Sequence, residues 1–192
     1  CIISGFIEWV IYSKVDKIDI LLAIDNSGSM ADKQQILREA VPELVGALVN
    51  PPCVDDDNQI VAKPATGEAC PMGKREFEPI EDIHIGVISS SLGAPGAPSS
   101  CASLTGNDKG RLLARIDPND PEKLGPTYQN TGFLVWRPDD SAQAGLYGDD
   151  DLLTDDLGKM LLGVGDEGCG YEASLESWYR FLVDPEPYAE VT

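Results

Sequence analysis

The sequence predicts an α/β fold, with a mostly parallel central sheet flanked by helices. Three observations carry that reading. Residues 18–24 and 83–89, Ile-Asp-Ile-Leu-Leu-Ala-Ile and Ile-His-Ile-Gly-Val-Ile-Ser, are nearly unbroken apolar and β-branched runs, which suit strands buried on both faces of a parallel sheet. Between them Ile36, Leu37, Ala40, Val41, Leu44, Val45 and Leu48 recur at helical spacing and mark one apolar face, as a crossover helix requires. The first run also ends abruptly in a polar loop, and in open α/β sheets ligands collect beyond the carboxyl ends of the strands.

Taken in chain order, residues 1–16 form an N-terminal segment at or outside the edge of a single domain spanning 17–192. Their apolar stretch of about a dozen residues is too short to cross a bilayer of ~30 Å. It suits the tail of a signal segment, a strand, or the start of a mature lipoprotein acylated on Cys1. After the strand and its loop, Pro42 removes the hydrogen bond to the Arg38 carbonyl, so a kink or break is expected in the crossover helix. Residues 50–79, rich in Pro, Asp and Gly, read as a long inserted loop. The strand at 83–89 is followed by a small-residue loop to Gly110, a third strand over Gly110–Ile116, a Pro- and Asp-rich loop over Asp117–Tyr128 and a further short strand over Gly132–Arg137. Leu153, Leu157, Met160 and Leu161 predict a helix from about Asp151 to Leu162, and Leu175, Trp178, Tyr179 and Leu182 share the face of another.

A chain of 192 residues, 42% of them hydrophobic, has enough apolar material for one domain with its own core. Its 14 basic and 33 acidic residues give a formal charge of −19, which disfavours nucleic acid and anionic lipid as partners, because counterion release needs clustered Lys and Arg. The same charge concentrates divalent cations locally, or simply keeps the surface solvated. The five cysteines lack Cys-x-x-Cys spacing and have only His84 to help them, so zinc is disfavoured. Disulfides in an extracytoplasmic location explain them better, Cys53 with Cys70 closing the inserted loop and Cys101 with Cys169 across the sheet edge; a reduced cytosolic chain is the alternative. His84 falls mid-strand, which favours a structural role, and Trp9, Trp136 and Trp178 read as packing residues.

The loop after the first strand, Asp25-Asn26-Ser27-Gly28-Ser29-Met30, brings a carboxylate and two hydroxyls to alternate positions where the strand stops. Hard oxygen ligands in an incomplete protein shell suit Mg²⁺, with Mn²⁺ or Ca²⁺ as substitutes. The bland alternative is a polar turn whose Ser and Asp side chains cap the next helix. This Asp-x-Ser-x-Ser pattern at the end of an apolar strand resembles the metal-ion-dependent adhesion site of von Willebrand factor A (vWA) domains. The stretch Gly168-Cys169-Gly170-Tyr171-Glu172 and the helix behind it resemble a group of bacterial surface or secreted vWA proteins, many of them lipoprotein-like. The resemblance implies a Rossmann-like vWA fold with an antiparallel edge strand, a divalent ion at Asp25, Ser27 and Ser29, and a protein partner that supplies a carboxylate to that ion.

Two departures qualify what the resemblance implies. The family's site threonine falls near Cys169, which has no hard oxygen, so Glu172 first, or Asp166 or Glu167, would have to replace it, or the ion binds weakly. The chain ends at Thr192, before the strand that carries the family's final aspartate, so the sheet is expected to lack one or two strands. A binding module is therefore the leading expectation, and a scaffold that keeps the fold without the ion is the second. A phosphatase with Asp25 as aspartyl nucleophile is a third, weakened by Ser27 where a second Asp is needed, and serine hydrolysis lacks the Gly-x-Ser-x-Gly elbow. Asp117 to Glu122 lacks calcium-loop spacing, and Asp149 to Asp151 reads as a solvated helix start.

Overall fold

The computed structural model describes residues 15–93, 107–139, 143–168 and 172–184. Its elements run β1 (Lys17–Ile24), α1 (Ala31–Val49), β2 (Cys53–Val54), β3 (Ile60–Ala62), β4 (Lys74–Arg75), β5 (Asp82–Ser89), β6 (Phe133–Trp136), β7 (Leu146–Tyr147), α2 (Asp150–Gly163) and α3 (Ser174–Leu182), with 3₁₀ turns at Gly28–Met30 and Tyr128–Asn130. A mixed, mostly parallel four-stranded sheet has the order β1-β5-β6-β7, and a small antiparallel sheet has the order β3-β2-β4. The α/β class read from the sequence is the class observed.

β1 and β5 pair in parallel along their whole length, from Lys17 opposite Asp82 to Ile24 opposite Ser89, so both strands end at the same rim. Alternation within β5 sets the layers. Ile83, Ile85 and Val87 join Val41, Val45 and Val49 of α1 and Leu153, Leu157, Met160 and Leu161 of α2 in one core. Full burial of such aliphatic side chains is worth roughly 1.5–3 kcal/mol each. His84 and Gly86 face the other side, where Trp178, Phe181 and Leu182 of α3 line an apolar groove with Leu21, Leu112 and Phe133. His84 sits mid-strand as expected, with Nδ1 2.8 Å from Asp19 and Nε2 3.3 Å from Asp82.

The structure corrects several local expectations. α1 runs unbroken through Pro42, and it turns a Val41, Val45, Val49 stripe inward while Ile36 and Leu44 stay exposed. The segment 50–79 is not a plain loop: it carries the small sheet, held by a Cys53–Cys70 disulfide. The proposed Cys101–Cys169 pair, the lipidation of Cys1 and Trp9 lie outside the described residues. Gly110–Ile116 is no strand of the main sheet. It lies alongside as irregular backbone, with the Leu113 N–H donating to the Val87 carbonyl, and the antiparallel neighbour of β5 is β6. That strand is not at the sheet edge, because β7 pairs beyond it.

α3 forms where its periodicity places it, but its apolar face is largely open: Leu175 is 87% exposed, and Tyr179 and Leu182 are more than half exposed. Ser177 and Arg180 are the α3 residues that are buried. Gly110, in the left-handed region, approaches that stripe so closely that an added Cβ would lie 3.0 Å from the Ser177 carbonyl oxygen. The helix thus packs through its small and polar side, and Arg180 reaches Glu176 at 3.0 Å. Among the described residues no helix is long and apolar enough to cross a membrane.

Candidate metal centre

Because β1 and β5 end in register, the loops after them meet at the carboxyl rim of the sheet. The Ser90 N–H donates to the Ile24 carbonyl at 2.9 Å, so Ser90 lies beside the start of the Asp25–Ser29 loop. Asp25 folds back on that loop: its Oδ1 accepts the Ser27 N–H at 2.8 Å, an Asx turn that engages one of its two carboxylate oxygens. The Ser27 and Ser29 hydroxyl oxygens stand 3.3 Å apart. All three residues predicted from the sequence therefore belong to one turn, with Asp25 partly buried, Ser27 buried and Ser29 exposed.

The loop is not explained by helix capping. Ser27 precedes the 3₁₀ turn and Met30 precedes α1, and neither makes a side-chain capping hydrogen bond. Gly28 does not adopt a positive φ. Its value is space, because an added Cβ would come within 3.3 Å of the Asp166 carbonyl oxygen.

Three further segments fix the loop, and sequence spacing gave little sign of them. Gln34, buried in the first turns of α1, donates from Nε2 to the Asp25 carbonyl at 2.9 Å and to the Gly165 carbonyl at 2.8 Å. Gly168 donates its N–H to the Asn26 carbonyl at 2.6 Å and bridges Ser27 in parallel fashion; a Cβ there would overlap Asn26. The Ser90 hydroxyl accepts from the Asn26 N–H at 3.4 Å and has two acceptors in reach, Asn26 Oδ1 at 3.3 Å and Glu172 Oε2 at 3.0 Å. The only local signal for Ser90 was the serine run Ser89-Ser90-Ser91 at a strand end.

Glu172 is the distant residue that joins the motif. Its carboxylate hydrogen-bonds Ser90 and also interacts with Asp25 and Ser27. Partial desolvation pushes the Glu172 carboxyl above the ordinary carboxylate range; Asp25 opposite it adds to the rise, and hydrogen bonds from Ser90 and Ser27 oppose it. Asp166 and Glu167, the other candidates for the threonine position, are exposed and line a neighbouring cleft of about 430 Å³ with Asn26, Asp108 and Arg115. Cys169 lies outside the described residues.

The chain matches no family model, no curated protein and no solved structure.

The arrangement itself can be tested for fit to a hard cation. Around a six-coordinate ion with oxygen ligands at about 2.0–2.6 Å, neighbouring ligand oxygens lie roughly 2.8–3.7 Å apart. The Ser27–Ser29 hydroxyl separation falls inside that range. None of the ion pairs among the described residues involves Asp25 or Glu172, so two carboxylates face each other without a side-chain cation between them. A divalent ion would relieve that repulsion. Among the described residues no group of three or more His, Cys, Asp or Glu is gathered for a metal, so a site here rests on hydroxyls as much as on carboxylates.

Proposed function

We propose that the chain is a metal-ion-dependent protein-binding module of the von Willebrand factor A type, holding Mg²⁺, or Mn²⁺ or Ca²⁺ in its place, at Asp25, Ser27 and Ser29. The observation that carries this reading is the convergence of those three side chains with Glu172 at the carboxyl rim of β1, with both serine hydroxyls left out of helix capping. Asp25 brings negative charge and one oxygen not used by its own turn. Ser27 and Ser29 bring neutral oxygens, which hold an ion without cancelling its charge. A bound divalent ion supplies a positive centre able to take an oxygen from a partner's carboxylate. Gln34 and Gly168 hold the loop in shape, so the ligand oxygens are positioned before any ion arrives. The mostly parallel sheet with its helices supplies the α/β class that the vWA reading requires, and the Cys53–Cys70 disulfide supports an extracytoplasmic location, secreted, periplasmic or surface-attached.

Calorimetric titration with Mg²⁺ and with Mn²⁺ tests the assignment. Asp25→Ala is expected to abolish binding while circular dichroism and unfolding remain those of a folded protein. Unchanged ion binding in that variant would reject the site. A scaffold without an ion would instead show no thermal shift between Mg²⁺ and EDTA in the unaltered chain.

A further inference from the structure

The arrangement around Ser90 points to a role for Glu172 that differs from that of Asp25. We infer that Glu172 is a built-in competitor for the coordination position offered to a partner's carboxylate: parked on Ser90 at rest, it can turn its carboxylate to a bound ion and exclude an outside acid. This rests on the metal-binding reading above.

Three features support it. Glu172 presents the same functional group as the expected partner, and its Oε2 lies 3.0 Å from Ser90, whose N–H is bonded to the Ile24 carbonyl at the start of the Asp25–Ser29 loop. Its resting partner can release it cheaply. A serine hydroxyl has a single proton, and Ser90 has two acceptors for it, Glu172 Oε2 at 3.0 Å and Asn26 Oδ1 at 3.3 Å. When Glu172 leaves, the Ser90 hydroxyl rotates to donate to Asn26 Oδ1 and the buried group stays satisfied. Little packing resists the swing, because Glu172 is exposed and the first turn of α3 places Leu175 almost wholly in solvent. The backbone beside it stays anchored, with the Ala173 N–H on the Ser90 carbonyl at 3.1 Å. The side chain can therefore move while the loop does not.

Charge counting gives the consequence. Asp25 and Glu172 together neutralise a divalent ion, and a third carboxylate would be drawn to a centre with no residual charge. With Glu172 displaced, one unit of positive charge remains for the partner.

The experiment uses the whole chain, Mn²⁺ as the ion and acetate as the carboxylate probe, read by calorimetry and by the paramagnetic relaxation of water on bound Mn²⁺. Glu172→Gln and Glu172→Ala are both expected to weaken Mn²⁺ binding and to tighten acetate binding to the Mn²⁺-loaded protein, each by roughly five- to tenfold. Weaker Mn²⁺ binding with acetate affinity unchanged or reduced would overturn the inference, making Glu172 an ordinary ligand. No change in either affinity, with Asp25→Ala still abolishing Mn²⁺ binding, would also overturn it while leaving the metal site standing. If the unaltered chain takes up no Mn²⁺, both the inference and the site fall together.

Discussion

Replacing Arg115 with Met tests how the segment that leads to Gly168 is held. Arg115 donates from Nη1 to Asp108 Oδ1 at 2.6 Å and from Nη2 to Asp108 Oδ2 at 3.0 Å, a bidentate pair. The same guanidinium donates from Nε to the Gly163 carbonyl at 2.7 Å and from Nη2 to the Val164 carbonyl at 2.9 Å, closing the end of α2. The two side chains are only 18% and 8% exposed, so solvent screens the pair poorly. Methionine fills similar volume but leaves the Asp108 carboxylate with the Ser89 hydroxyl as its one remaining named partner. Removing one member of a buried ion pair costs roughly 3–5 kcal/mol, because the survivor is an uncompensated charge. That is a large share of the about 5–15 kcal/mol that holds a typical domain. Urea unfolding followed by circular dichroism is expected to show a lower midpoint at unchanged slope, and Asp108→Asn added to Arg115→Met should recover much of the loss. A loss below about 1 kcal/mol would refute the reasoning, since that is the range of a solvent-screened surface pair.

Replacing Cys53 and Cys70 with Ser opens a bridge of sequence separation 17, for which loop entropy predicts a loss of about 3 kcal/mol, measurable by chemical unfolding with and without reductant. Pro42→Ala restores an N–H for the Arg38 carbonyl inside a continuous helix, and after the entropy that proline removes from the unfolded chain, a net gain of about 2 kcal/mol is expected in thermal unfolding; destabilisation would contradict an unbroken α1. Gly168→Ala places a Cβ against Asn26 Oδ1 and the Asn26 carbonyl oxygen, so it should cost roughly 1–3 kcal/mol and weaken the ion binding proposed at the adjacent Ser27, read by the same Mn²⁺ titration.

The parts of the fold carried by long periodic runs were legible in the sequence: β1, β5, α1, α2 and α3 lie where their apolar spacing puts them. What local pattern could not supply was orientation. Val41, Val45 and Val49 face the core while Ile36 and Leu44 do not, because the rotation of α1 is chosen by the sheet and α2 rather than by α1 itself. Leu112 and Leu113 made 110–116 look like a strand, yet the shorter run Phe133–Trp136 won the pairing with β5 through a four-residue register. Strands of two or three residues such as β2 and β4 have too few residues to show any alternation. The candidate site divides in the same way. Asp25, Ser27 and Ser29 fall within five residues and are readable, whereas Ser90 and Gly168 reach the loop only through tertiary folding, and Glu172, the first of three acids the sequence offered, is the one that bonds Ser90.

The two serines of the motif also allow a choice between cap and ligand on energetic grounds. A Ser at a helix N-cap stabilises by roughly 1 kcal/mol through a bond to an N–H of the first turn, and the sequence places two serines within reach of the start of α1. Neither is used that way, because the 3₁₀ turn Gly28–Met30 intervenes and leaves Met30 at the cap position with no side-chain bond to offer. The Met30 N–H instead bonds the Ser27 carbonyl at 2.9 Å, so Ser27 supports the turn through its backbone and keeps its hydroxyl facing Ser29. A local arrangement that forgoes an available cap and sets two carboxylates against each other departs from the most stable solution in two ways within one short loop. Such departures concentrate where a sequence is shaped by binding rather than by stability. Here a single divalent ion would turn both hydroxyl placement and carboxylate repulsion from costs into ligation.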